Sequence, residues 1–236
     1  FVLCIAIICS SLVFGQNIKL GVGSDLPPYV LRESNSGIEL DIAREALALK
    51  GHTVTPVYLP FGRVMFALEA GDVDGALTTN EDSGITNVYY SDSHIHYQNV
   101  AVSLSKHNFP ITDVNSLKNH SVLAFQFATR FLGEEYNQMA KRNKNYTEKA
   151  QQSIQISMLY LNRVEVIVLD LIIFKYFKKL EKRVSTTAPV DVFEVFAPTR
   201  YKVGFKIKSI REDFNKGLAA LRKSGRYDEI ILKYIE

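Results

Sequence analysis

Arg63 stands in the first turn of a segment, residues 62–70, that reads as a helix. A cation there opposes the helix dipole by a few tenths to about 1 kcal/mol. Its placement points to an anionic partner, either a ligand or a nearby acid such as Glu69. Thr78, Thr79 and Asn80 close an apolar run, where hydroxyls, an amide and free backbone groups can cradle a carboxylate. Asp170 ends the run Val164-Glu165-Val166-Ile167-Val168-Leu169. An acid directly after such a strand is costly to bury unpaired, which points to a ligand cation or to the N-cap of the next helix. Signals for catalysis are poor. The chain has no Gly-x-Ser-x-Gly, no phosphate-binding loop and no dinucleotide fingerprint. Its histidines are scattered, and His94-x-His96 offers too few ligands for a metal. Neither a metal nor a cofactor is expected.

These residues must be positioned by alternating strands and helices. Residues 18–22 read as a strand ending in Ser24-Asp25-Leu26-Pro27-Pro28-Tyr29, where the two prolines set an extended path for Tyr29. Gly37-Ile38-Glu39-Leu40-Asp41-Ile42 opens a helical segment closed by Gly51. A strand over 53–59, the helix over 62–70 and a strand from Gly75 to Thr79 follow. Three strands separated by two helices imply a parallel sheet, and such sheets bind ligands at the carboxyl ends of their strands. Asp25 and the Thr78-Thr79-Asn80 group both lie there.

Residues 99–104 alternate like a strand. A short helix over 111–120, a strand over 121–125 and a helix capped by Thr129 and running to about 143 come next, closed by an amide-rich turn over 141–145. Ile154, Met158 and Leu161 recur at helical spacing. The strand over 164–169 leads into a helix to about 183, then strand-like residues 192–196 and 202–207, and an amphipathic tail over 210–236 interrupted near Gly225. The two halves echo each other, each with a helix, a tight turn and an acid-containing strand. This predicts two α/β lobes with crossings near 101–106 and 193–198. Lobe 1 takes residues 17–103 and 196–236, and lobe 2 takes residues 104–195. Hinged lobes can close around a ligand.

Hydrophobic residues at 47% and charged residues at 22% are ordinary for a globular protein. A net charge of +3 is too small to argue for nucleic acid. Residues 1–14 are apolar but too short to span a bilayer. With Val13 and Gly15 at −3 and −1 before Gln16, residues 1–15 read as a secretory signal peptide, truncated at the front, which predicts a periplasmic mature protein. Cys4 and Cys9 both fall within it, so no disulfide framework is expected after cleavage.

The order of Pro27-Pro28-Tyr29, Gly37-Ile38-Glu39-Leu40-Asp41-Ile42, Gly71-Asp72-Val73-Asp74-Gly75-Ala76-Leu77 and Tyr201-Lys202-Val203-Gly204-Phe205 resembles the family 3 extracellular solute-binding proteins. In bacteria these deliver amino acids and related small polar solutes to ABC importers. The resemblance implies a two-lobed periplasmic-binding-protein type II fold of the α/β class. Each lobe is a mixed, mostly parallel sheet flanked by helices, with two hinge crossovers. It also implies a monomer that captures a small polar or zwitterionic solute and meets the membrane subunits of an ABC transporter. Under it, Asp25 faces the cleft, Tyr29 packs on the ligand and Asp170 receives a ligand amine. Phe127-Ala128-Thr129-Arg130 falls at an anion-binding turn in which Thr129 keeps the hydroxyl and Arg130 is either free or paired with Glu134.

One departure stands out. The family's carboxylate-binding Arg, about six residues before the aromatic that is Tyr90 here, is replaced by Ser83-Gly84. Glycine cannot replace a bidentate Arg. Arg63 or Arg130 then supplies the charge, or the ligand is not an ordinary α-amino acid. If Asp25 and Asp170 share a closed pocket, a cationic ligand group is expected between them. Two other functions fit the same fold: an enzyme such as a cyclohexadienyl dehydratase, with Asp25 or Asp170 as acid or base, and a ligand-sensing accessory domain.

Overall fold

The computed structural model describes residues 15–236 apart from Asp25 and the side chains of Phe61 and Asp82. The expected leader over 1–15, apart from Gly15, and the Asp25 site lie outside the described residues. The chain begins β1 (Asn17–Gly23), α1 (Ile38–Ala48), β2 (Thr53–Leu59), α2 (Phe61–Ala70), β3 (Gly75–Thr79), β4 (Tyr89–Tyr90), β5 (Ile95–Tyr97) and β6 (Asn99–Leu104). It continues β7 (Val122–Phe125), α3 (Ala128–Phe131), α4 (Gly133–Arg142), β8 (Tyr146–Lys149), α5 (Ser153–Tyr160), β9 (Val166–Asp170) and α6 (Leu171–Leu180). It ends β10 (Val190–Phe193), β11 (Thr199–Phe205), α7 (Lys208–Ser224) and α8 (Arg226–Ile235).

Two sheets result. In the first, β1 pairs in parallel with β2 and β3, as the first three strands predict, and β11 returns antiparallel beside β3 and carries β4 and β5. The second has the order β10-β6-β9-β7-β8, with β7 parallel to both β8 and β9. Because β6 pairs with β9 and β10, the chain changes sheet at Gln98, before the expected crossing. The return falls between Phe193 and Thr199.

Local differences have local causes. The helix expected from Thr129 to about 143 is broken at Gly133, whose φ of 86° lies in the left-handed region. Only a 3-10 turn, Asn115–Asn119, forms within 111–120. Tyr146–Lys149 follows the expected turn as an edge strand, which β7 recruits by parallel pairing. Leu26 and Val30 exchange both backbone hydrogen bonds, at 3.1 and 2.9 Å, so the prolines make a tight turn rather than an extended path.

That turn is pinned to α1. Pro28 and Tyr29 carbonyls accept from the Ile38 and Glu39 amides, each at 3.0 Å. Gly37 makes this approach possible: its φ is 130°, and a Cβ there would sit 2.4 Å from the Tyr29 carbonyl oxygen. The Gly37 amide in turn donates to the Tyr234 hydroxyl on α8 at 2.9 Å. The apolar core runs through both sheets, from Leu20, Val22 and Phe205 to Leu169, Ile173 and Phe174.

Candidate ligand-binding site

Tyr29 and Asp170 meet where the two sheets face each other. Asp170 closes β9 and N-caps α6, accepting on Oδ1 from the amides of Ile172 at 2.9 Å and Ile173 at 3.0 Å. The same oxygen accepts from the Tyr29 hydroxyl at 2.8 Å, and Oδ2 accepts from the Gln98 amide at 2.9 Å. Gln98 is the residue at which the chain changes sheet. Four donors thus converge on one carboxyl group that is only 3% exposed. Burial is the larger influence and pushes its pKa up to about 6, against the pull of those donors. The structure therefore shows the cap and, in addition, a contact between the sheets.

Tyr29 is fully buried and stacks on Tyr97, with ring centroids 3.9 Å apart. Tyr97 donates to Glu39 Oε1 at 2.5 Å. Glu39 Oε2 accepts from His94 Nε2 at 2.9 Å and from Thr78 Oγ1 at 3.0 Å. Glu39 and His94 are fully buried. Thr78 has a φ of 56°, unusual for a β-branched residue, and its bond to Glu39 holds it there. The sequence reading assigned no site role to Glu39, His94 or Tyr97. One signal was available: Glu39 interrupts the apolar face of an otherwise buried first helical turn.

The other expected positions are dispersed. Thr79 is buried and donates to the Lys202 carbonyl at 2.9 Å. Asn80 starts a 3-10 turn, its amide donating to Ser83 Oγ at 3.2 Å. Arg63 is exposed in a groove of about 220 Å³ between β2 and α2, beside Leu59, Phe66 and Asp72. Arg130 is exposed on α3 without an ion pair to Glu134, whose carboxylate is taken by Asn137 and Gln138.

The turn at Phe127 does gather donors around an anion, and the anion is the protein's own. Glu148 on β8 accepts from the Phe127 amide at 2.7 Å, the Thr129 amide at 3.0 Å and the Thr129 hydroxyl at 3.1 Å. Tyr146 adds a fourth donor at 2.7 Å. Partial burial raises the Glu148 pKa, but these hydrogen bonds outweigh it and leave it below the usual value. Phe127 adopts a left-handed φ of 64° and is 56% exposed.

A second, larger groove of about 670 Å³ lies at the carboxyl end of β3. Asn80 and Glu81 form one wall, Thr199, Arg200 and Lys202 of β11 another, and Asp92 a third. Lys202 and Glu81 form an ion pair at 2.5 Å within it. Among the expected site residues that are described, Asn80 alone lines this groove. Among the described residues no cluster of three metal-ligating side chains occurs, and His94 and His96 diverge, one buried on Glu39 and the other exposed.

Comparison with known proteins agrees with this architecture. The family model described as bacterial extracellular solute-binding proteins, family 3, matches residues 18–236. A protein of Campylobacter jejuni named "Probable histidine-binding protein" is 25% identical over 224 residues, covering 92% of this chain and 84% of that relative. An ancestral cationic amino acid solute-binding protein superposes with a TM-score of 0.72 at 16% identity, over 93% of this chain and 96% of that one. The ligand-binding core of GluR0 in complex with L-glutamate gives a TM-score of 0.69 at 18% identity, over 93% and 98% of the two chains.

Proposed function

From the premise that this chain belongs to the family 3 bacterial extracellular solute-binding proteins, we propose that it captures a small zwitterionic solute, an amino acid or an amine-like relative, by closing two lobes. The closed form is the one an ABC importer recognises. The lobes follow the two sheets, dividing at Gln98 and again between Phe193 and Thr199. The observation that carries the reading is the Tyr29–Asp170 hydrogen bond, because it joins the carboxyl-end regions of β1 and β9 across the two sheets. Ligands of parallel α/β sheets bind at those strand ends.

The solute class is supported by the relatives, one named for histidine and another for cationic amino acids. Binding, rather than a dehydratase reaction, accounts for Asp170 as well: four donors of the protein itself already occupy its carboxyl group, which leaves it little access to a reacting substrate. We further propose that the chain is exported through a leader over 1–15 and acts as a periplasmic monomer, the setting in which such a binder meets its importer.

Differential scanning fluorimetry with L-amino acids, polyamines and small carboxylates tests the proposal. A ligand at 100 times its Kd adds about 2.7 kcal/mol of stability, which raises Tm by several degrees. A flat response to all three classes counts against solute capture.

A further inference from the structure

The second half of α6 and the residues after it concentrate positive charge. Lys175, Lys178, Lys179, Lys182 and Arg183 stand against a single acid, Glu181, a surplus of four. That exceeds the net charge of +3 on the whole chain, so the remainder of the protein is slightly acidic. Glu181 is taken by Arg183, whose Nε donates to it at 3.0 Å. Lys178 lies over the Tyr160 ring of α5, with Nζ 5.9 Å from the centroid. Lys175, Lys179 and Lys182 are exposed, and their ammonium groups make no hydrogen bond or ion pair among the described residues. The exposed lysines of α7 differ, because acids lie in reach: Lys208 is 3.9 Å from Glu212 and Lys216 is 3.8 Å from Asp213.

Topology places this charge away from the strand ends where Tyr29 meets Asp170. Both β9 and β10 pair antiparallel with β6, so they run in the same direction. The chain leaves β9 at Asp170 and must return to the opposite edge of the sheet before β10 begins, and α6 makes that return. Its 10 residues span about 15 Å, so Lys179, Lys182 and Arg183 emerge toward that far edge. The loop that precedes β9 reaches the same edge and exposes Leu161 and Arg163. Its Asn162 Oδ1 lies 2.8 Å from His107 Nε2, which brings the exposed Lys106 alongside. Apolar surface is interspersed with these cations: Leu161 is 45% and Leu180 50% exposed, and Tyr176 and Phe177 are half-buried. Lysines beside leucine and aromatic rings are the composition of surfaces that lie on a bilayer, where the stems cover apolar area and the ammonium groups reach outward. A carboxylate-bearing protein partner is better matched by the bidentate fork of arginine. The three free cations of α6 and its extension are all lysines, compact point charges that suit a layer of phosphates.

We propose that the lysine-rich face of α6 is a docking surface for anionic phospholipid headgroups, which holds the protein loosely against a membrane. The surface is separate from the solute site and does not depend on which solute binds. Each lysine close to an anionic leaflet strengthens adsorption on the order of fivefold. The attraction is screened over about 10 Å at moderate salt, so docking of this kind is reversible and falls as ionic strength rises.

Co-sedimentation of the purified protein with vesicles tests this, using phosphatidylcholine alone and an equal mixture of phosphatidylcholine and phosphatidylglycerol. Wild type should pellet with the mixed vesicles at low salt, be released by added salt, and ignore phosphatidylcholine alone. The triple variant Lys175→Gln, Lys179→Gln, Lys182→Gln should bind the mixed vesicles more than about tenfold more weakly. A second triple, Lys208→Gln, Lys216→Gln, Lys223→Gln, removes the same charge from α7 and should stay within about twofold of wild type. Leu180→Ser should weaken vesicle binding and leave binding to poly-L-glutamate unchanged. All of these side chains are exposed, so circular dichroism and Tm should match wild type in each variant. If wild type fails to bind the mixed vesicles, or both triples lose binding equally, the docking surface is overturned. Tight binding to poly-L-glutamate without vesicle binding overturns it too, in favour of an acidic polypeptide. Each of those results leaves solute capture standing.

Discussion

The Tyr29 hydroxyl donates to Asp170 Oδ1 at 2.8 Å, joining two side chains that lie 141 positions apart and belong to different sheets. Around this bond the rest of the junction is layered. Tyr97 stacks on Tyr29, Glu39 accepts from Tyr97, and Gln98, the residue where the chain changes sheet, donates to the other oxygen of Asp170. Relative movement of the sheets must disturb this cluster.

Tyr29→Phe removes the bond and keeps the ring that stacks on Tyr97. A hydrogen bond to a charged group contributes about 1.5–3 kcal/mol, and three donors to Asp170 remain. Urea denaturation should therefore show a loss of about 2 kcal/mol, read as a lower midpoint with an unchanged m-value. An unshifted midpoint would mean that the contact contributes nothing to cohesion between the sheets.

Asp170 gives the stability a pH dependence of defined sign. Burial lifts its pKa from 3.8 to about 6, so folding takes up a proton between those values. Its contribution is fully present below about pH 4 and is lost as pH rises through about 6, by on the order of 3 kcal/mol. Carboxylates held low, such as Glu148, act in the opposite sense. The readout is therefore the difference in unfolding free energy between wild type and Asp170→Asn. That difference should decline across pH 4 to 6, and a constant difference would exclude ionisation of Asp170 from this window.

Glu39→Gln places an amide N–H₂ among three donors, from Thr78, His94 and Tyr97, inside a fully buried site. At least one of them loses its acceptor, at a cost of about 3 kcal/mol or more. Chemical denaturation should show that loss, while Glu45→Gln, on an exposed pair with Arg226, should cost less than about 1 kcal/mol. Equal effects would show that the buried carboxylate is not essential to this network.

Glu148→Ala leaves the Phe127 and Thr129 amides and the Tyr146 hydroxyl without their acceptor. Hydrogen exchange at the 127 and 129 amides should accelerate about tenfold or more relative to wild type, with amides of β9 unaffected. Unaltered protection would mean that the turn is held by its backbone alone.

Much of the fold was legible because it depends on local periodicity. The β1-α1-β2-α2-β3 order follows from alternating apolar runs and glycine stops, and the break at Gly225 follows from a glycine at a helix end. The family resemblance drawn on those motifs is the family that matches residues 18–236. Strand partnership was not legible. Residues 99–104 read as a strand, but only pairing with β9 and β10 placed that strand in the second sheet. The donors around the Phe127 turn were anticipated, whereas the Glu148 carboxylate that fills it comes from a strand whose partner is chosen by tertiary packing. Asp170 was legible as a cap because its donors, Ile172 and Ile173, lie two and three residues on. Its bond to Tyr29 was not, since a contact over 141 residues leaves no trace in local spacing. Charge placement divides the same way. The family resemblance, read on the sequence, marked an arginine as missing at Ser83-Gly84. Only the antiparallel return of β11 beside β3 brought Arg200 and Lys202 to the groove that Asn80 lines, because which side chains share a cavity is set by chain crossings rather than by distance along the chain.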